Sequence, residues 1–492
     1  MTRMISAVFV ALVAFAAVFA VSMSATTAGL VPDDAVTLWA SAITAGDGQM
    51  PIGRIVAAYP TIPFLAATLL EFVTPAGTPT TILLTAGVLA LLAGGLFVSF
   101  RRTGVPPIGG TLMVFLIVLH PAVLRAAIAG PADIIFTVFL FLLGGALFDL
   151  RARSAAPEIM AVALSLLGLA FSHPMGAAIA CAAIPLFVFS VRPELLTSLT
   201  LNLVMTMVFP TAFCVAAFSY MSWVFPGSGW SFLIAPAEGV ATWAAGFSSL
   251  FGRGLTGSLA LDAGIAVLVT LLLAAPLVPF LIIWVWERTP LLAPALVIVA
   301  MTAMAASLAV LTGLFGDPAP LAAMPPILAA ILIMHVPLAR EQLLFVLLFV
   351  LPLLVLGWFG GLAGFAILDP RGAMNVGVAL MGRNVDMERL AAFNLGNATV
   401  GRNGVLVDTF NAPAIVLGRG RARGLLPPST EEFALGVILA RIETPFVAVP
   451  DPQIGIGAQD RLNKAFPLLY RHGAAGYHIV YDNANWRLFA RN

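Results

Sequence analysis

The stretch that decides the fold is Met4–Leu30, MISAVFVALVAFAAVFAVSMSATTAGL, which runs straight into Val31-Pro32-Asp33-Asp34. It contains no charged side chain. An α-helix rises 1.5 Å per residue, so about 20 apolar residues cross the roughly 30 Å hydrocarbon layer of a bilayer. Met4–Leu30 is long enough to span. A cleaved signal peptide is the competing reading, but the apolar run exceeds a usual signal core and no clean A-x-A site follows it.

Working outward, runs of the same kind recur to about residue 367. They are Thr78–Phe100, Ile108–Leu124, Asp133–Leu150, Pro157–Ser172, Pro174–Val191, Leu196–Trp223, Asp262–Trp286, Leu291–Leu314, Leu321–Val336 and Gln342–Ile367. With the first, that makes about eleven spans. The expected fold is therefore an α-helical polytopic membrane protein with about eleven transmembrane helices. Composition agrees: 61% of the 492 residues are hydrophobic and 10% are charged, and the mean hydropathy is +1.04. Soluble domains carry about 25% charged residues, so a water-soluble enzyme is excluded. The 24 basic and 23 acidic residues leave a net charge of +1, which excludes nucleic-acid binding by charge. Cys181 and Cys214 both lie in apolar runs and read as small buried hydrophobes, so there is no disulfide framework.

Arginine placement orients the chain. Arg3, Arg101, Arg102, Arg151, Arg153, Arg192, Arg288 and Arg340 fall in every second connection. Placing these inside puts the N-terminus in the cytoplasm. The first loop, about 31–77, is then outside, and so is the tail. The arginine-rich, lysine-poor composition, with Lys464 the only lysine, points to a bacterial chain and hence to its inner membrane.

The tail, 369–492, changes character. It holds 13 of the 24 basic and 10 of the 23 acidic residues. Gly404–Val407, Ala414–Leu417, Phe446–Val449, Tyr477–Tyr481 and Trp486–Phe489 read as strands, and Thr430–Arg441 as a helix with Thr430 and Glu432 in its first turn. Residues 1–368 thus form a transmembrane domain, and 369–492 a small extracytoplasmic α/β domain.

Charges at membrane edges are costly and mark candidate sites. Asp33 and Asp34 form an acidic pair at the exit of the first span; the plain reading is helix-flanking acids, the chemical one a general base at the water–lipid boundary. Asp133 opens a later span in Gly130-Pro131-Ala132-Asp133, where the helix dipole alone also favours a carboxylate. Arg125 precedes it, and His173-Pro174 maps to the same outer side on this topology. Arg54 and Tyr59-Pro60-Thr61-Ile62-Pro63-Phe64 lie in the first loop, Tyr59 serving equally well as an interfacial anchor. The later loop carries Trp230, Glu238, Trp243 and Arg253, in which the tryptophans suit both sugar stacking and the membrane interface. The five histidines form no H-x-x-x-H pair, so no metal site is read. Asp33 and Asp34 are too few ligands to argue for a divalent cation, and no phosphate-loop or dinucleotide fingerprint appears.

The acidic pair after the first helix, the long outer loop and the Tyr-Pro-x-x-Pro entry to the next apolar run resemble the GT-C glycosyltransferases, in the branch of the lipid A aminoarabinose and protein O-mannosyltransferases. The resemblance covers about residues 1–190. Typical members read His/Tyr-Pro-Pro-Leu-x-Tyr where this chain has Tyr59–Phe64, and a Lys-Gly-Pro-like segment has His173-Pro174-Met175-Gly176 as its counterpart, with histidine replacing lysine. The resemblance implies a sugar donor on a polyprenyl phosphate and a lipid, glycan or protein acceptor. It implies a catalytic carboxylate at Asp33 or Asp34, with Asp33 read as the base, Asp34 orienting it or the sugar, Asp133 contacting acceptor or sugar, and inversion at the anomeric centre. Arg54, Tyr59, Arg125, His173 and Arg253 are the donor-phosphate candidates, and Trp230 and Glu238 contact sugar or acceptor. No cofactor is implied. A transporter or flippase, and a non-catalytic envelope assembly protein displaying its tail, are the competing classes.

Overall fold

The computed structural model describes residues 2–225, 229, 231–234, 256–284, 289–315, 319–335, 346–368, 370–483 and 485–492. The described residues are largely helical, with a small sheet near the C-terminus. It divides into two compact units: one holds Met1–Met23, Tyr59–Pro63 and Thr85–Met374, the other Ser24–Ala58, Phe64–Leu84 and Asn375–Asn492.

The first unit is built from apolar helices. Among the described residues of the whole chain, five helices are long and apolar enough to cross a membrane: Met4–Thr27, Thr80–Arg102, Pro131–Arg153, Asn202–Val224 and Leu291–Thr312. Two bent pairs bring the number to seven if each pair is one span. Pro107–Val118 with Pro121–Ala129 bends by 52°, and Leu259–Ala274 with Leu277–Trp284 by 87°. The shorter apolar helices among the described residues are Thr61–Val73, Ala156–Ser172, Pro174–Ser190, Pro320–His335 and Leu348–Gly364. The chain is thus a helical membrane protein. Its core mixes large and small residues, among them Val10, Ala14, Leu89, Phe97, Ile134, Leu166, Ala305 and Ile331. Alanine lets helix backbones approach closely where lipid supplies no hydrophobic drive of its own.

The helix breaks have visible causes. Pro121 and Pro276 lack the amide a continuous helix needs. The carbonyls freed there find side-chain partners. Trp358 Nε1 donates to the Leu119 carbonyl at 2.9 Å. The buried His120 ring places Nε2 3.0 Å from the Ala274 carbonyl and 3.1 Å from that of Gly357. Its Nδ1 accepts from the Ala122 amide at 3.2 Å, which fixes the Nε2–H tautomer.

The second unit centres on a five-stranded sheet in the order β2-β1-β3-β5-β4, where β1 is Val405–Leu406, β2 Leu425–Leu426, β3 Phe446–Pro450, β4 Tyr477–Asp482 and β5 Trp486–Arg491. β1 pairs in parallel with β2 and β3, and β5 is antiparallel to β3 and β4. Period-2 alternation sends Val405, Val407, Ala448, Trp486 and Leu488 to one core, and Leu406, Val447, Val449 and Phe489 to the other. Both faces are covered, as parallel strands require. On the first face lie Ala392 and Leu395 of helix Met387–Ala398, Ile415 of helix Ala414–Arg419, and Val36, Ala40 and Ile43 of helix Asp33–Gly46. Phe433, Leu462 and Tyr470 cover the second.

Ala414–Leu417 is helical rather than extended. Pro413 sits at the N-cap of Ala414–Arg419 and Gly420 closes it with φ 69°, and a four-residue apolar run suits a buried helix as well as a strand. Thr430 occupies the N-cap position of Glu431–Ile438 without a capping bond; its hydroxyl donates instead to the Pro427 carbonyl at 2.8 Å.

Candidate functional site

The acidic pair is aimed by a helix stop. The Leu30 amide donates to the Ala25 carbonyl at 2.9 Å and the Gly29 amide to that of Thr26 at 3.1 Å, the paired bonds of a Schellman motif. Gly29 has φ 77°, a left-handed conformation glycine adopts without cost. A Cβ there would lie 2.6 Å from Asn384 Oδ1. Beyond the turn, Pro32 takes the N-cap and Asp33 and Asp34 form the first turn of helix Asp33–Gly46, where the helix dipole favours negative charge.

Arg389, on helix Met387–Ala398, holds Asp33. Its Nη2 lies 2.6 Å from Asp33 Oδ1 and 3.0 Å from Asp386 Oδ2, and its Nη1 donates to the Val31 carbonyl. Asp386 caps the same helix, accepting from the Arg389 amide at 2.9 Å. The Asp33 side chain remains 87% exposed while Arg389 is 18% exposed, so the arginine is the fixed member of the pair. Asp34 keeps access to solvent. Partial burial by surrounding protein, and then the neighbouring Asp33 charge, raise its carboxyl above the usual range. The two acids therefore differ: one is tied to a guanidinium and the other is made a stronger base.

The other end of the helix is also tied down. Asp47, at its C-cap, accepts from the Ala422 amide at 2.6 Å and the Arg423 amide at 3.3 Å. Arg54, on the short helix Ile52–Val56, stacks its guanidinium 3.9 Å from the Phe410 ring centre, and Arg461 lies 5.3 Å from the same ring. Burial and then Arg461 lower the Arg54 pKa.

The remaining candidates fall in the helical unit. His173 Nε2 lies 3.7 Å from Asp133 Oδ1. The ring meets Phe136 edge-on at 5.7 Å, and its Nδ1 caps helix Pro174–Ala183 by accepting from the Met175 amide at 3.1 Å. Asp133 stands in the first turn of Pro131–Arg153. The structure thus brings together Asp133 and His173, which sequence reasoning had placed on one side. Arg125 lies on helix Pro121–Ala129. Tyr59 donates its hydroxyl to the Ala170 carbonyl at 2.8 Å and packs against Phe218 and Phe232, the contacts of a structural anchor. Trp230, Glu238, Trp243 and Arg253 lie outside the described residues.

Sequence reasoning missed Arg389, Asp386 and His120. Arg389 lies 356 positions from Asp33, and no local pattern reports such a contact. His120 carried one usable signal, a histidine directly before a proline within an apolar run. In the second unit, Asp408 and Asp460 are both fully buried. Asp408 accepts from the Phe410 and Arg461 amides and from Asn411 Nδ2. Asp460 caps helix Arg461–Ala465 by accepting from the Asn463 amide at 2.8 Å. Among the described residues, no group of three His, Cys, Asp or Glu side chains is placed to hold a metal ion.

No family model matches the chain, and no curated protein matches it either.

Proposed function

We propose that the protein is a membrane glycosyltransferase that moves a sugar from a polyprenyl-phosphate donor to a lipid, glycan or protein acceptor. In this reading about eleven helices cross a bacterial inner membrane, counting the shorter apolar helices, and the acidic pair faces outward with the α/β domain. The observation that carries it is the differentiated pair Asp33–Asp34 on a helix fixed at both ends. An acceptor hydroxyl attacking an anomeric carbon must lose its proton as the bond forms, and a carboxylate of raised pKa is suited to take it. The geometry favours Asp34 for that role, with Asp33, oriented by Arg389, contacting the sugar or acceptor. Asp133 with His173 is the further pair that supports sugar or leaving-phosphate contact, and single displacement inverts the anomeric centre. No cofactor is needed. The test is transfer from a radiolabelled polyprenyl-phosphate sugar by purified Asp33→Asn and Asp34→Asn. Loss of turnover in Asp34→Asn with folding intact is expected, and undiminished turnover in both variants refutes the mechanism.

A second reading, an alternating-access transporter, is favoured by one observation. Two broken apolar helices meet at the buried His120, and discontinuous helices are a common device for substrate sites in transporters. Counterflow of a substrate into liposomes without covalent product would select it.

A further inference from the structure

The second unit contains a cavity of about 240 Å³ that none of the candidate chemistry uses. That is about eight times the roughly 30 Å³ share of one liquid water. Its lining includes Asp47, Glu71, Thr74, Gly420, Arg421 and Arg423. Two carboxylates and two guanidiniums make it neutral overall but divided in sign. Asp47 and Glu71 line the same cavity. Glu71 accepts from the Thr80 hydroxyl. Arg423 Nε is 3.8 Å from Asp47 Oδ1 with its side chain 70% exposed, a contact too open to hold the guanidinium firmly. Gly420, at φ 69°, packs against Gly77, where an added Cβ would lie 3.1 Å from the Gly77 Cα, and this close approach brings the arginine turn onto the loop between helices Thr61–Val73 and Thr80–Arg102.

Where the cavity lies decides what reaches it. Glu71 and Thr74 are at the end of Thr61–Val73, whose Leu65, Leu69, Phe72 and Val73 are 45%, 66%, 65% and 77% exposed. Their spacing puts them on one face, an apolar stripe that needs lipid to cover it. Thr80 opens a helix long enough to cross a membrane. The cavity therefore sits where two apolar helices end, which is headgroup level if Thr80–Arg102 spans a bilayer.

We propose that this cavity binds the headgroup of an amine-bearing zwitterionic phospholipid. The phosphodiester lies on Arg421 and Arg423, whose planar guanidiniums suit phosphate oxygens. The primary ammonium lies on Glu71 and Asp47. A choline headgroup has the same charges but no N–H to donate, so the carboxylates distinguish the two, and a glycerol headgroup lacks the cation.

The test uses the full-length chain in nanodiscs of phosphatidylcholine with equal minor fractions of phosphatidylethanolamine and phosphatidylglycerol, followed by native mass spectrometry of retained lipid. Phosphatidylethanolamine should be retained about tenfold over its share, the scale of one charge-assisted hydrogen bond. Arg421→Ala with Arg423→Ala should abolish the enrichment. Glu71→Gln, which keeps an acceptor for Thr80, should remove the preference for ethanolamine over choline without lowering the total lipid count. Soluble glycerophosphoethanolamine should displace the lipid where inorganic phosphate at equal concentration does not. Equal retention of the ethanolamine and choline lipids, or an unchanged preference in Glu71→Gln, overturns the proposal. So does displacement by inorganic phosphate, or by a sugar 1-phosphate at lower concentration than glycerophosphoethanolamine, which would assign the cavity to a simple anion or a sugar phosphate.

Discussion

Replacing Asp460 by asparagine should make the sheet-bearing unit more stable at pH 8 and leave it nearly unchanged at pH 4. Asp460 is fully buried, and its pKa is pushed up from 3.8 to about 7. Burial is the main cause; the Asn463 amide opposes it and the Asp408 charge adds to it. The sign follows from proton binding. Between pH 4 and 7 the folded state keeps a proton that the unfolded chain releases, so stability is fully present below about pH 4 and declines as pH rises. Each pH unit in that window costs about 1.4 kcal/mol, which sums to at most about 4 kcal/mol by pH 8. Asparagine caps helices as well as aspartate does and still offers an acceptor to the Asn463 amide, but has nothing to ionise. Hydrogen exchange of the β3 and β5 amides in the full-length chain, corrected for intrinsic rates, reads the difference at each pH. Equal wild-type protection at pH 5 and pH 8, or a variant less protected than wild type at pH 8, would refute the reasoning.

The other predictions are briefer. On the proposed glycosyltransferase reading, Asp34→Asn should abolish sugar transfer, and the wild-type rate should rise with pH along a limb lying above the ordinary carboxyl range. Asp33→Asn should move that limb to lower pH by removing the neighbouring charge, which a pH–rate series on both proteins would show. Because Asp33 is so exposed, Asp33→Asn should change stability by less than about 1 kcal/mol, as read by thermal unfolding. Trp486→Ala should cost about 3–5 kcal/mol by emptying the fully buried indole site between the strands and helix Met387–Ala398; unchanged exchange in β3 and β5 would contradict this. Gly29→Ala should lower stability by at least about 1 kcal/mol, since φ 77° is strained for alanine and its Cβ meets Asn384.

How much of this was legible in the sequence depends on the range of the interaction. The long apolar helices were legible because membrane thickness imposes a length that any window of the chain displays. The bends were only half visible: Pro121 and Pro276 mark them, but the His120 and Trp358 bonds that stabilise the broken ends join segments 154 and 239 residues apart. In the tail, β3, β4 and β5 are rich in aromatic and β-branched residues and could be read. β2 has two residues and no periodicity. Ala414–Leu417 was ambiguous because a short run buried on all sides looks the same in a strand and a helix. The acidic pair was visible as charge out of place. What distinguishes its members was not, because Arg389 reaches Asp33 only through the fold.

That last contact bears on the competing reading in which the tail is a free-standing binding module. Helix Asp33–Gly46 is joined to tail residues at its N-terminus by Arg389, at its C-terminus by Asp47 on the Ala422 and Arg423 amides, and along its length by Val36, Ala40 and Ile43 in the core beneath β1. Residues 369–492 expressed alone would expose the apolar surface that this helix covers, and should be poorly soluble and prone to associate. A fragment linking 24–58 and 64–84 to 375–492 should be better protected in hydrogen exchange than the tail by itself. If the bare tail instead folds with full protection of β1 and β3, the helix is a passenger and the acids need no tail to position them. If it does not, the first loop and the tail act as one body, and a substitution at Arg389 must be judged as a change to the acidic pair.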